Sequence, residues 1–173
     1  MATLRLPDPS LVVLIGAAGA GKSTLAARLF APEEVLSSDA LRAVVSGDEA
    51  DQSASAVAFR ILHRTLARRL ALRQLTVVDA TNTAATVRRP LVARARATGL
   101  PTAAIVLDFD PKLVRSQNAG RQRIVGRDVV DRHLAGVRQS VDGGGLADEG
   151  FDQVVILRSP AEAAALTIER TSA

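Results

Sequence analysis

Cysteine is absent from the 173 residues, as are tryptophan and tyrosine, and four phenylalanines are the whole aromatic complement. The first absence excludes disulfides and thiolate metal sites and points to a reducing, cytoplasmic compartment. The second argues against base recognition on several stacking platforms, the means by which single-strand binders hold nucleic acid. The apolar run Leu11-Val12-Val13-Leu14-Ile15 is far too short to cross a bilayer, and the amino terminus lacks the basic-then-apolar pattern of a signal peptide. No repeat or low-complexity segment occurs. Acidic residues are missing from 60–73, which hold Arg60, Arg64, Arg68, Arg69 and Arg73.

Hydrophobic residues make up 47% of the chain, enough to core one globular domain spanning 1–173. The net charge of +4 favours a polyanionic ligand without distinguishing ATP from nucleic acid. Arg60, Arg64 and Arg68 recur at i, i+4, so a helix would carry them as one stripe, roughly opposite Phe59, Leu62, Leu66 and Leu70. That stripe reads either as a solvated face or as a groove for a phosphodiester chain.

Gly16-Ala17-Ala18-Gly19-Ala20-Gly21-Lys22-Ser23 fits the G-x-x-x-x-G-K-[ST] phosphate loop at every fixed position, directly after the apolar run. Small residues let the backbone N–H groups turn inward around a polyphosphate, and the helix that follows adds the positive end of its dipole. Lys22 is then suited to bridge the β- and γ-phosphates of ATP or another NTP, Ser23 to ligate Mg²⁺, and Thr24 to reach the α-phosphate.

Short Val/Ile/Leu-rich runs at 11–15, 34–37, 75–79, 103–108 and 153–157 alternate with helix-period stretches near 22–30, 39–46, 53–73, 84–98, 111–118, 127–140 and 160–170. This predicts an α/β fold, with a parallel central sheet of about five strands flanked by helices. Gly143-Gly144-Gly145 reads as a flexible turn. Asp39 and Asp79 follow predicted strands, where parallel-sheet enzymes place their chemistry. Asp39 could instead cap the next helix. Asp79 fits a Mg²⁺ ligand, direct or through water, and equally a hydrogen-bonding partner of Ser23 or Thr81. Arg115, Arg121, Arg123, Arg127 and Arg132, with Gly120 and Gly126 between them, suggest a mobile lid over about 115–128 that closes on phosphates. His63 and His133 read as packing or hydrogen-bonding residues.

The same residues resemble the 5′-polynucleotide kinase domain of the bacterial Pnkp type, within the P-loop phosphotransferase superfamily. The resemblance runs through the phosphate loop, Ser37-Ser38-Asp39 with Arg42, Asp48-Glu49 and Asp51-Gln52-Ser53-Ala54, then Leu75 to Asn82. It continues through Pro90-Leu91-Val92, Glu149-Gly150-Phe151 and Leu157-Arg158-Ser159-Pro160. It implies a P-loop kinase fold with an arginine-bearing lid, and transfer of the ATP γ-phosphate to 5′-OH ends of RNA or DNA with Mg²⁺. It also implies that Asp39 is the general base, that Arg42 engages Asp39 and the substrate phosphate, that Gln52 faces the substrate, and that Arg121 and Arg123 embrace the ATP phosphates. The chain departs from the pattern at Gln117, where that family usually has an arginine. Phosphatase and ligase modules that accompany the domain in the full repair enzyme are not in these residues. The resemblance therefore implies a kinase standing alone or an excised domain, with such partners acting in trans. Two other functions fit the same motifs: a kinase of this fold acting on a small-molecule hydroxyl, and a nucleotide-binding regulatory ATPase with no acceptor.

Overall fold

The computed structural model describes residues 3–47 and 54–172. Five parallel strands, β2 (Leu11–Gly16), β3 (Val35–Ser37), β4 (Thr76–Asp79), β5 (Thr102–Leu107) and β6 (Gln153–Leu157), form one sheet in the order β3-β4-β2-β5-β6. Strands β2, β4 and β5 are buried at every position, which their run of aliphatic side chains permits. Along β2 the side chains alternate between two cores. Val12 and Leu14 meet Leu25, Phe30 and Ile105 on one face, while Leu11, Val13 and Ile15 meet Leu62, Leu66 and Leu70 on the other.

Helices α1 (Lys22–Leu29), α2 (Ser38–Ser46), α3 (Ser55–Ala71), α4 (Ala85–Ala97), α5 (Pro111–Ala119) and α6 (Arg127–Asp142) lie close to their predicted positions. Along α3 the buried side chains are Ala58, Leu62, Leu66 and Leu70, a strict i, i+4 stripe, so Phe59 falls off the core line and is only half buried. Ser37 caps α2 by accepting from the Ala40 N–H at 3.3 Å. Asp39 is therefore inside the first turn of the helix, and the capping role open to it in the sequence belongs to Ser37.

The carboxyl end of the chain differs from its prediction. The helix expected over 160–170 is only α8 (Pro160–Ala165), and Thr167–Ser172 forms a strand, β7, pairing in parallel with β1 (Thr3–Asp8). β-Branched Thr167, Ile168 and Thr171 disfavour the helix, and Leu166, fully buried, turns the chain out of it. Strand β1 shows the alternation of a half-buried strand, with Leu4 and Leu6 inward. The three glycines at 143–145 lead into one further helical turn, α7 (Gly145–Asp148), entered through Gly144 at φ 65°.

One buried ionic group ties this scaffold together. Arg88 of α4 donates to both carboxylate oxygens of Glu149, to the Asn82 carbonyl at 2.8 Å and to the Ser140 hydroxyl at 3.0 Å. The Arg88 side chain is 1% exposed and that of Glu149 4%. Asn82 in turn donates to the Leu14 carbonyl at 2.8 Å, so this network reaches the strand that carries the phosphate loop.

Candidate active site

Sheet order brings four strand ends together. Leu14 on β2 and Ser37 on β3 both register with Asp79 on β4, and Gly16 registers with Leu107 on β5. The phosphate loop leaves β2 at Gly16, whose N–H donates to the Thr81 carbonyl at 3.0 Å. Gly19 and Gly21 sit at φ 87° and 89°, backbone that a side chain would strain. A Cβ on Gly19 would also lie 2.9 Å from Cβ of Asn118, so the loop is pressed against the end of α5.

Lys22 is folded back onto its own loop, its Nζ donating to the Gly16 carbonyl at 3.0 Å and the Ala17 carbonyl at 2.9 Å. Burial pulls its pKa down to about 8, against the upward pull of Asp79 and Asp39, with Arg121 adding to the fall. Ser23 Oγ donates to Asp79 Oδ2 at 2.7 Å. Burial pushes the Asp79 carboxyl above the usual carboxylate range, and the Ser23 hydrogen bond and Lys22 pull it back in part. This contact sets Asp79 beside the Ser23 hydroxyl, an arrangement compatible both with a hydrogen-bonding role and with a shared Mg²⁺.

Asp39 is held by two arginines. Arg42, one helical turn on, is buried and bonds the Asp39 carboxylate. Arg123 reaches the same oxygen, Oδ1, from the loop between α5 and α6, at 3.3 Å. That loop is held by Asn118, whose amide donates to the Val125 carbonyl at 2.8 Å and accepts from the Val125 N–H at 3.1 Å. The predicted lid is thus two helix ends joined by a short loop with a buried asparagine at its base.

These groups share a cavity of about 800 Å³. Ala18 to Thr24, Asp39, Arg42, Asp79, Gln117, Arg121 and Arg123 line it, while Gly16 and Ala17 take part through the carbonyls that hold Lys22. Arg115 is not in the cavity; it donates to Asp131 at 2.8 Å, and Arg127 and Arg132 also face acidic neighbours on α6. Gln52 lies outside the described residues.

Sequence reasoning missed the apolar part of the cavity lining, Phe59, Leu107, Phe109, Val125, Val129, Pro160, Ala163 and Ala164. These come from four separate stretches of chain and converge only through the sheet order. His133 lines the cavity as well, which its reading as a packing residue did not anticipate. Close approach of α6 accounts for it: a Cβ on Gly136 would lie 3.0 Å from the Thr83 carbonyl oxygen, one turn beyond His133. Nδ1 of His133 is buried without a partner among the described residues, and burial, then Lys22 and Arg132, holds its pKa below the usual histidine value. His63 does not line the cavity.

Among the described residues no group of three or more His, Cys, Asp or Glu side chains could hold a metal by itself. A hydroxyl beside a carboxylate, as at Ser23 and Asp79, suits Mg²⁺, which takes few protein oxygens and completes its shell with phosphate and water. No described helix is long and apolar enough to cross a membrane.

Comparison with known proteins places this arrangement. A chain of the Pnkp1/Rnl/Hen1 RNA repair complex superposes with a TM-score of 0.68 at 16% identity, over 79% of this chain and 46% of that one. Chaetomium thermophilum Kti12, solved with ADP-AlF3, gives 0.66 at 18% identity over 89% of this chain and 93% of that one. A chain from the PezAT chromosomal toxin–antitoxin system of Streptococcus pneumoniae gives 0.65 at 14%, over 89% and 69%. At such identities the likeness is one of fold, and the chain spans less than half the length of its RNA-repair counterpart. No curated protein matches it in sequence. The profile of the AAA domain family, however, matches residues 11–143, which cover the phosphate loop, Asp39, Asp79 and the arginines at 121 and 123. A parallel sheet in this order, with a phosphate loop leaving its central strand, is a P-loop kinase fold, and the chain belongs to the AAA domain family.

Proposed function

We propose that the chain is an ATP- and Mg²⁺-dependent polynucleotide 5′-hydroxyl kinase. The observation that carries the kinase part of this reading is Asp39, a carboxylate held by Arg42 and Arg123 in the same cavity as the phosphate loop, and the polynucleotide acceptor is what the resemblance implies. A nucleotide-binding switch needs no such acid facing its triphosphate, whereas a kinase needs a base for the attacking hydroxyl.

In this reading, backbone N–H groups from Ala17 to Ser23 hold the β-phosphate, and Thr24 meets the α-phosphate. Lys22 leaves the Gly16 and Ala17 carbonyls to follow charge from β to γ. The apolar lining at Phe109, Val129 and Pro160 takes the nucleobase. Ser23 and Asp79 would hold Mg²⁺, which supplies neutralisation of phosphate charge. Asp39 accepts the proton of the acceptor 5′-hydroxyl as its oxygen bonds to the γ-phosphorus. The bond from that phosphorus to the β–γ bridging oxygen breaks, and ADP leaves. Arg42 orients Asp39 and meets the phosphate beside the reacting nucleoside, and Arg121 and Arg123 close over the triphosphate.

The test is transfer of label from γ-labelled ATP to a panel of 5′-OH RNA, 5′-OH DNA and small alcohols, with Mg²⁺ present. Labelled 5′ ends are the expected product; label on a small alcohol alone, or only free phosphate, overturns the reading. Asp39→Asn should lower turnover about 10²–10⁴-fold while leaving nucleotide affinity within a few-fold. Unchanged turnover removes Asp39 from the mechanism.

A further inference from the structure

The chain's charge is strongly polarised along its length. Residues 55–100 contain nine arginines and a single acidic residue, Asp79, a net of +8, so the remainder of the sequence carries a net of −4. Asp79 is buried in the cavity and does nothing to offset the outer surface of this region. Four of the nine arginines are used by the fold. Arg69 donates to the Leu75 carbonyl and the Thr76 hydroxyl, Arg88 pairs with Glu149, Arg73 donates to the Thr98 carbonyl, and Arg96 lies against Gly150. The other five, Arg60, Arg64 and Arg68 on α3 with Arg89 and Arg94 on α4, are exposed and make no ion pair among the described residues.

Position connects this charge to the cavity. Ser55 and Phe59, in the first two turns of α3, line the cavity, and Arg60 follows immediately. Arg64 and Arg68 continue the line at steps of about 6 Å down the outer side of the helix, opposite the buried Leu62, Leu66 and Leu70. Arg94 is close enough to His63 of α3 to help depress its pKa, so the two helices present their cations side by side. Neither helix carries an acidic residue.

We propose that the outer face of α3, with Arg94 of α4 beside it, is the docking track for a nucleic-acid backbone whose 5′ end enters the cavity past Phe59. This rests on the polynucleotide reading for what happens at that end, and adds where the rest of the strand runs. Charge complementarity favours the occupant: evenly spaced guanidinium groups on a rigid helix, without an ion pair among the described residues, suit successive phosphates. A membrane surface fits less well, because a helix lying on lipid needs an apolar face to sink, and that of α3 is already in the core.

Fluorescence anisotropy of 3′-labelled 5′-OH oligonucleotides tests the proposal without relying on catalysis. Against the wild-type chain, R60Q/R64Q/R68Q should weaken binding about tenfold. It should also reduce the slope of log affinity against log salt by about 2, as expected when three cations no longer neutralise phosphates of a single strand. Nucleotide affinity should not move, which reports an intact fold. An unchanged slope and affinity overturn the proposal, as does wild-type binding to phosphatidylserine vesicles with none to oligonucleotides. The two ideas fail separately. Oligonucleotides that bind through Arg60, Arg64 and Arg68 but gain no label from ATP leave the track standing and sink the kinase. Oligonucleotides that gain label equally well with the triple variant, at unchanged KM, do the reverse.

Discussion

Position 117 isolates a question of charge. Gln117 lines the cavity beside Arg121 and Arg123, on the last turn of α5 before the buried Asn118. A glutamine can donate to a phosphate oxygen but brings no positive charge to the transferring group, and the resembled kinase domains usually have arginine there. Arg115, two residues earlier, does not compensate, because it points to Asp131 on the far side of the helix. Gln117→Arg should therefore raise kcat at least about tenfold with a smaller change in KM for ATP, since a phosphoryl-transfer arginine is worth up to about 10³–10⁵. A steady-state comparison on one acceptor checks this, and an equal or slower variant contradicts it. The phosphate loop, Asp39 and Asp79 could all be singled out from sequence because each has a fixed relation to the end of an apolar strand. Phe109, His133 and Ala163 could not, since nothing local marks them and only the neighbouring positions of β2, β5 and β6 bring them to one cavity.

At the level of elements, the five strands of the main sheet were legible by their aliphatic content, most strongly β2, β4 and β5, which are buried at every position. Strands β1 and β7 were hidden by the opposite circumstance: each is paired on one side and partly exposed, so Thr167 to Ser172 has no apolar run to betray it. The ion pair joining α4 to the segment before β6 was hidden too, because Arg88 and Glu149 lie 61 residues apart. Its removal has a calculable cost. Arg88→Met strands a buried carboxylate and should destabilise the fold by about 3–5 kcal/mol, lowering the midpoint of a urea melt. Arg88→Met with Glu149→Leu should recover most of that loss, because two apolar side chains leave no unpaired charge. A double variant as unstable as the single one would show that the hydrogen bonds to Asn82 and Ser140 dominate instead.

For the molecule as a whole, the β1–β7 pair is linked to the main body by Arg170, which donates to both oxygens of Glu34 at 2.7 and 2.8 Å and to Asp8 at 3.2 Å. The Arg170 hydrogen bond, with burial opposing it, holds the Glu34 carboxyl below the usual glutamate range, and Glu34 raises the Arg170 pKa in turn. A carboxylate lowered in the folded state stabilises it at pH above the ordinary value, ~4.3, and loses that contribution as pH falls through the depressed value. Arg170→Gln should thus cost about 1 kcal/mol near neutrality, where the pair is partly screened by solvent, and nothing once Glu34 is protonated. Chemical melts across the acid range would read the convergence; parallel curves would deny the pair its role. The same clasp sets an order on folding. Thr3 is paired with Thr167, 164 positions downstream, so β1 has no strand partner until every strand of the main sheet has been synthesised.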